Sequence, residues 1–156
     1  MKKIFLGDAE LHKANLTEAN LEDANLNSAD LNKANLNRAN MRRLYARSAD
    51  LRYANLSNAD LTKSNLRQCS MFKAWMKNSN FSGANLQNIK GSQSQMQESI
   101  FCGAKLEGAD LSGARMEGAD FAGAGLQVAN LSRGVLKNSN FKGADLKGAN
   151  LRYTIG

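Results

Sequence analysis

The chain has 156 residues, a net charge of +7 at pH 7, no proline and two cysteines. This length suits one domain, 1–156, and two cysteines are too few for a disulfide framework. No stretch is long and apolar enough for a signal peptide or a membrane span, so we expect a cytoplasmic protein, with export that needs no such signal left open.

A five-residue period runs from Leu6 to Leu151 without an insertion or deletion. Every fifth residue, here called a centre, is Leu, Met or Phe in 28 of 31 cases, and the residue two before it is small in 28 of 31. Neither the 3.6-residue helical period nor the two-residue strand period matches this spacing. The pattern predicts a stacked array in which the chain turns at every repeat and points the same two residues inward.

A second period of 20 residues indicates the number of turns in each coil. Twenty residues correspond to four repeats, so we expect four sides per coil, with Phe stacked on Phe along one side and Met on Met along the adjacent side. The residues that carry this period are Phe81, Phe101, Phe121, Phe141, Met76, Met96 and Met116.

Two repeats exchange their large and small residues. Leu44 takes a small position before Ala46 at the centre, and Ile89 does the same before Gly91. Exchange within one repeat roughly conserves the core volume, which close-packed interiors tolerate best. We therefore expect each pair to share one core layer, with the coil distorted but unbroken.

Glycine occupies the second residue after the centre only from Gly83 onward. Because glycine permits positive φ, this distribution predicts a different corner type in the C-terminal half.

The repeat resembles the A(D/N)LXX motif of the pentapeptide-repeat family. The motif appears, for example, as Ala14-Asn15-Leu16 and Ala59-Asp60-Leu61, and the resemblance extends from about Leu6 to Tyr153. It implies an all-β fold, a right-handed quadrilateral parallel β-helix of about 7–8 coils. Asn and Asp before the centre suit this fold, since their side chains hydrogen-bond nearby backbone.

The sequence offers little for catalysis or metal binding. His12 is the only histidine and is interpreted as a solvated wall residue, Cys69 as a small core residue and Cys102 as an outward-facing residue. No nucleophile–base pair, phosphate loop or metal-ligand set is present. We therefore expect no enzymatic activity and no cofactor.

Basic residues are concentrated in the second quarter of the chain, where residues 41–80 carry eight basic and two acidic side chains. The same stretch places aromatic residues at outward positions, and basic and aromatic side chains on adjoining walls are typical of a recognition patch. The alternative is a set of solvated side chains whose stems cover a few wall aromatics. The candidate partner-binding residues are Arg42, Arg43, Tyr45, Arg47, Arg52, Tyr53, Arg67, Phe72, Lys73, Trp75 and Lys77.

Four functions are compatible with these features. The first is a non-catalytic protein-interaction solenoid, with another protein as partner. The second comes from the resemblance: some pentapeptide-repeat proteins bind DNA gyrase by resembling duplex DNA, but they are acidic rods with a C-terminal dimerisation helix, whereas this chain is basic and ends in repeats. The third is nucleic-acid binding, which the positive charge favours. The fourth is a structural or exported bacterial protein, which the residues do not address.

We also expect association through the ends of the rod. The end coils of a solenoid expose core cross-section and unpaired backbone edges. The cap candidates are Met1 to Phe5, with Ile4 and Phe5 folded over the first coil, and the short tail Tyr153 to Gly156. An end-to-end homodimer would cover the C-terminal edge; the alternative is a monomer whose tail curls over the last coil.

Overall fold

The computed structural model describes residues 4–156, which form a right-handed quadrilateral β-helix. Each parallel β-bridge joins residues that are 20 apart, from Phe5 with Asn25 to Val135 with Ile155. This spacing confirms a coil of four five-residue sides. Within residues 4–156 there is no helix, and each strand is a single bridged residue.

Each side is named by its first centre. Side 1 contains Leu6 and its equivalents every 20 residues, side 2 contains Leu11, side 3 contains Leu16 and side 4 contains Leu21. The two residues that follow a centre form a corner. Each corner takes the same number as the side whose centre precedes it. Vertical columns of equivalent residues therefore run along the rod, one coil apart, or about 4.8 Å.

Four of the five backbone N–H groups in a repeat bond to other backbone atoms. In the first repeat, the N–H of Leu6 donates to Asn25 O at 2.7 Å and that of Asp8 to Asn27 O at 2.9 Å. The N–H of Asn25 donates back to Ile4 O at 2.9 Å. A fourth bond, from the N–H of Ala9 to Leu6 O at 3.2 Å, closes the corner.

The fifth N–H, on the first corner residue, explains the Asn or Asp of the motif. Every Asn or Asp that precedes a centre accepts this N–H through its side-chain oxygen, as Asn25 does from Asn27 at 3.0 Å. Tyr45 cannot do so, and the N–H of Arg47 instead donates to Asn27 Oδ1 in the neighbouring coil, at 2.8 Å. The motif thus completes the backbone hydrogen bonding of each repeat that carries Asn or Asp before its centre.

The core is a narrow column of centre and small residues. The rings of Phe81, Phe101, Phe121 and Phe141 stack nearly parallel on side 4, with successive centroids 5.0, 4.8 and 5.0 Å apart. The methionines of the second column are buried on side 3. Both columns predicted from the 20-residue period are therefore present.

The prediction of a second corner type is wrong. The second corner residue has positive φ at every corner, 52–64° where it is not glycine and 63–73° where it is. The coil hydrogen bonds are the same in both halves, because stacking requires every coil to keep one path. Glycine therefore relieves strain at a shared corner geometry.

Both exchanged repeats keep the coil intact. Leu44 and Ala46 are fully buried, and the N–H of Ala46 still donates to the next coil, to Asn65 O at 2.8 Å. At the other exchange, a Cβ placed on Gly91 would lie 3.5 Å from Ile89 Cδ1. Leu111 Cδ2 would lie 3.1 Å from the same Cβ, so Ile89 and Leu111 together extend toward the space that a larger centre would fill.

The ends of the described stack are less buried than its middle. Phe5 is 75% exposed and sits in a bridged position on side 1, so it extends the ladder and does not fold over the first coil as expected. Residues 1–3 of the expected cap lie outside the described residues. Leu151 and Ile155 are exposed at the other end. The end-to-end homodimer stays a prediction.

Candidate functional site

The eleven candidate residues surround the rod and do not share one face. They occupy all four corners and two of the sides between them. Arg42 and Arg43 lie at corner 4, Tyr45 on side 1, Arg47 and Arg67 at corner 1, Arg52, Tyr53, Phe72 and Lys73 at corner 2, Trp75 on side 3 and Lys77 at corner 3.

The corner 4 arginines are engaged within the protein. Arg43 pairs with Asp23 and with Glu22, each at 2.8 Å. The hydrogen bond to Asp23 is the main reason that the pKa of Arg43 is raised above its ordinary value. Arg42 pairs with Asp60 at 3.2 Å. These cations neutralise neighbouring carboxylates, so they contribute little free charge to a partner surface.

At corner 2 the structure brings aromatic and basic side chains of successive coils together. The rings of Tyr53 and Phe72 meet edge to face, with centroids 5.6 Å apart and planes at 88°. Lys73 Nζ lies 5.1 Å from the centroid of Phe72, and Lys33 Nζ lies 6.0 Å from that of Tyr53. Lysines over ring faces at these distances make cation–π contacts, which order the cluster.

Arg52 at corner 2 is held by the carboxylate before its own centre. Its Nη2 lies 2.5 Å from Asp50 Oδ2, and its Nε donates to Asp50 Oδ1 at 2.9 Å. Burial opposes ionisation of Asp50, but the hydrogen bonds from Arg52 and the guanidinium charge together lower its pKa below the ordinary value. Arg52 therefore adds shape to corner 2 and little net charge.

Sorting the charges by corner identifies residues that a count along the chain misses. Among residues 4–156, corner 2 is the one corner whose two columns contain no Asp or Glu. The 20-residue spacing in the sequence was sufficient to identify this corner without acidic residues. The basic residues of corner 2, here called the corner 2 ridge, are Lys13, Lys33, Arg52, Lys73, Arg133 and Arg152.

Carboxylates border the ridge on one side only. Glu10, Asp30, Asp50 and Asp110 precede the centres of side 2. The corresponding column of side 3 carries no acidic residue in the described chain and contains Trp75, which is 52% exposed. The basic residues of the ridge therefore lie along a narrow strip about 34 Å long, the length of seven coil spacings.

A depression of about 340 Å³ interrupts the ridge between Lys73 and Arg133. It forms where three coils carry small or polar corner residues. It is lined by Gln93, Ser112, Gly113, Asn130, Ser132 and Arg133. The lining offers hydroxyl, amide and guanidinium donors and suits a polar group.

The two cysteines and the histidine of the chain occupy three different environments. Cys69 is buried, its Sγ lies 2.8 Å from Ala46 O, and burial raises its pKa to about 12. Cys102 is partly exposed and donates to Asp120 Oδ2 at 3.2 Å, while His12 is exposed at corner 2. Across residues 4–156, no three His, Cys, Asp or Glu side chains converge in a way that could hold a metal ion.

The described chain, residues 4–156, contains no helix with the length and apolar character needed to cross a bilayer.

Several solved structures resemble the chain. The chain is 28% identical to HetL, a pentapeptide repeat protein involved in heterocyst differentiation regulation in Nostoc sp. strain PCC 7120 (94% of this chain, 73% of HetL, TM-score 0.47). A trypsin-treated form of QnrB1, a plasmid-mediated fluoroquinolone resistance protein, is 23% identical (90% and 78%, TM-score 0.49). A thylakoid-lumen pentapeptide repeat protein of Arabidopsis thaliana is 21% identical (69% and 68%, TM-score 0.41).

A comparison with curated proteins gave no match. The family model for pentapeptide repeats matches eight copies, over residues 6–43, 49–88, 92–123 and 119–155. These segments include most of the chain and coincide with the stacked coils. The chain belongs to the pentapeptide repeat family.

Proposed function

We propose that this chain is a non-catalytic protein-interaction solenoid and that the corner 2 ridge receives an acidic segment of a partner protein. The observation that carries the proposal is the charge of corner 2: six basic side chains, of which Arg52 alone pairs with a carboxylate, and no acidic one along the described rod. The other corners mix both signs, and at corner 4 the ion pairs are made within the chain. A one-sign strip steers and orients an oppositely charged partner.

The backbone at the ridge supports the same function. Lys13, Lys33 and Lys73 have φ of 58, 59 and 54°, a region in which glycine would be less strained. The glycines at other corners have the same turn, so the fold does not require lysine at these positions. Their side chains face solvent, where a partner can reach them.

An acidic protein segment fits the ridge better than a nucleic acid does. The carboxylates of side 2 run parallel to the ridge and would repel the phosphates of a broad duplex. Tyr53 and Phe72 pack against each other, which leaves less ring face for base stacking than two free rings would. An extended peptide can follow the strip and contact the exposed Trp75 beside it.

The non-catalytic part of the proposal is supported by the interior. From Leu21 to Leu131 the inward positions are buried and mostly apolar, with four buried serines at small positions, so the interior offers no polar pocket for a substrate, whereas the depression at corner 2 is open to solvent. No described group of side chains couples a nucleophile to a base there.

A charge-matched pair of variants tests the ridge. In the first, Lys33→Gln and Lys73→Gln remove two corner 2 charges; in the second, Arg38→Gln and Lys63→Gln remove two charges from equivalent turn positions at corners 3 and 4. Glutamine is tolerated at such positions, since Gln68 and Gln93 occupy them at φ of 64 and 57°. Both variants should fold alike.

The probe is a labelled poly-glutamate peptide, titrated at low and at moderate salt. We expect the corner 2 variant to bind it about tenfold more weakly than the unaltered chain, and the control variant to bind within about twofold. Equal losses in both variants would overturn the ridge assignment. Tighter binding of single-stranded or duplex DNA, with the same dependence on corner 2, would replace the protein partner with a nucleic acid.

A further inference from the structure

We propose that the corner 2 depression binds one oxyanionic group of the partner, a carboxylate or a phosphoryl group, through Arg133, Ser112 and Ser132. The inference rests on the proposed function, because it assigns a specific contact to the same partner surface. It follows from three features of the depression: free hydroxyl donors, an unpaired guanidinium and a shape that admits a small polar group.

The hydroxyls of Ser112 and Ser132 lack the bond to the preceding Asx side chain that Thr17, Thr62 and Ser82 make at the same repeat position. The hydroxyls of Thr62 and Ser82 donate to the Asx side chain before their own centres, at 2.5 and 2.6 Å. Neither Ser112 nor Ser132 makes such a bond in the described chain, although the N–H of each is bonded to its Asx side chain. Both hydroxyls are therefore free to donate into the depression.

The charges around the depression favour an anion. No carboxylate oxygen of residues 4–156 lies within 4.0 Å of the Arg133 guanidinium, whereas the arginines of corner 4 are paired. Arg152 follows one coil beyond Ser132, and Lys73 lies one coil before Gln93. Asp110 is the carboxylate closest in sequence position, and its Oδ1 already accepts from Ser112 N at 3.0 Å and Asn130 Nδ2 at 3.2 Å.

The shape of the depression depends on Gly113, which has no side chain. Gly113 has φ of 65°, and a Cβ placed on it would lie 3.6 Å from Gln93 Cγ, so the space above it is bounded by Gln93. The depression is open to solvent and polar, which suits one anionic group more than an enclosed molecule. A guanidinium presents a planar fork of N–H donors that matches carboxylate and phosphate oxygens.

Two variants alter the depression through different physical means. Arg133→Gln removes the charge, and Gly113→Asn fills the space. Both replacements are compatible with the backbone, because glutamine and asparagine occur at other second corner positions, as in Gln93 and Asn58. The matched control is Gly123→Asn at corner 4, where an added Cβ would have no neighbour within 4 Å.

The measurement is a titration of the full chain with inorganic phosphate and, separately, with acetate, followed by the backbone amide NMR signals. We expect saturable shifts centred on residues 112–113 and 132–133, about tenfold weaker binding in Arg133→Gln and a similar loss in Gly113→Asn. Gly123→Asn should bind as the unaltered chain does. The comparison of phosphate with acetate shows which oxyanion the site prefers.

Two results would overturn this inference: no saturable shift at these amides with either anion, or shifts that persist unchanged in Arg133→Gln. The poly-glutamate titration of the Lys33 and Lys73 variant separates the two proposals. If that variant loses peptide binding while neither anion shifts the amide signals at the depression, the ridge function stands and the oxyanion site is refuted. If the anions bind but the peptide does not depend on the lysines, the ridge function fails.

Discussion

The two halves of the rod make the same corners with different residues. Up to residue 78 every second corner residue is a non-glycine at positive φ, whereas glycine takes eight of these positions from Gly83 onward. The φ values differ by only a few degrees, and the hydrogen bonds between coils are the same. The interior and the ladders therefore determine the corner, and the corner residue adapts to it.

This comparison bears on why particular side chains occupy the corners. Left-handed backbone costs an L-residue roughly 1–2 kcal/mol, which glycine avoids. A lysine or tyrosine at such a position lowers stability without improving the coil. Non-glycine residues occupy this position at all four corners up to residue 78, and corner 2 differs in that its charged members, Lys13, Lys33 and Lys73, are all basic.

The variant with the largest expected effect on stability tests whether the packing of the interior determines the path of the coil. Ala46→Leu places a second large side chain beside Leu44 in a filled layer and should destabilise the chain by roughly 1–3 kcal/mol. Urea unfolding measures this. The double variant with Leu44→Ala restores the regular order of small and large residues and should recover most of the loss. A neutral or stabilising Ala46→Leu would contradict the volume exchange.

The next effect tests whether strain resides at the corners. Val128 is β-branched, 67% exposed and has φ of 52°, the combination least suited to left-handed backbone. Val128→Gly should stabilise the chain by about 1 kcal/mol, since relief of strain exceeds the entropy cost of glycine. The converse change, Gly123→Val, places a Cβ that meets no neighbour within 4 Å and should destabilise the chain mainly through the backbone. Equal stabilities across these variants would remove the strain argument.

A similar contrast exists in the core between two serines at small positions. Ser79 donates to Leu56 O at 2.7 Å, whereas the Ser64 hydroxyl is buried without a hydrogen-bond partner. Ser79→Ala should cost about 1 kcal/mol, and Ser64→Ala should be neutral or stabilise by up to about 1 kcal/mol. Thermal melts of the two variants decide this, and a loss at Ser64 as large as that at Ser79 would refute it.

The smallest effect concerns the carboxylates that bond the corners. Backbone hydrogen bonding from Ala122 lowers the pKa of Asp120, and bonds from Thr62 lower that of Asp60 although burial opposes them. Their stabilisation is full above the unfolded pKa of about 3.9 and is lost as the pH falls through the lower folded pKa.

Replacing Asp60 and Asp120 with Asn tests this pH dependence. Asn keeps the side-chain oxygen that accepts the corner N–H, as Asn55 does at 3.1 Å, but does not titrate. Urea melts from pH 6 to pH 2.5 should show a shallower acid loss in the double variant than in the unaltered chain. Parallel curves would show that these two carboxylates do not contribute.

The sequence was sufficient to predict the coil, because the fold consists of one five-residue repeat stacked many times. The Phe and Met columns and the buried exchanges at Leu44 and Ile89 follow from spacing alone. The corner error arose because glycine was taken as the sign of positive φ, whereas stacking imposes that φ on every residue.

The candidate site was harder to predict. Counting charge along the chain grouped Arg42 and Arg43 with Lys73, although the first two lie at another corner and pair with Asp60, Asp23 and Glu22. Sorting by the 20-residue period would have added Lys13, Lys33, Arg133 and Arg152. The pairing of particular charges and the depression depend on side-chain positions, which a periodicity does not contain.

The most direct test of the account measures stability and binding on the same proteins. One variant carries glycine at four corner 2 positions, Lys13, Lys33, Lys73 and Arg133; the control carries it at four corner 3 positions, Arg38, Asn58, Asn78 and Asn138. The corner 2 variant should gain about 1–2 kcal/mol in total after the entropy cost of glycine, and the control should gain less because asparagine tolerates left-handed backbone, but only the corner 2 variant should lose poly-glutamate binding. If corner 2 glycines lower stability, or leave peptide binding intact, the account is wrong.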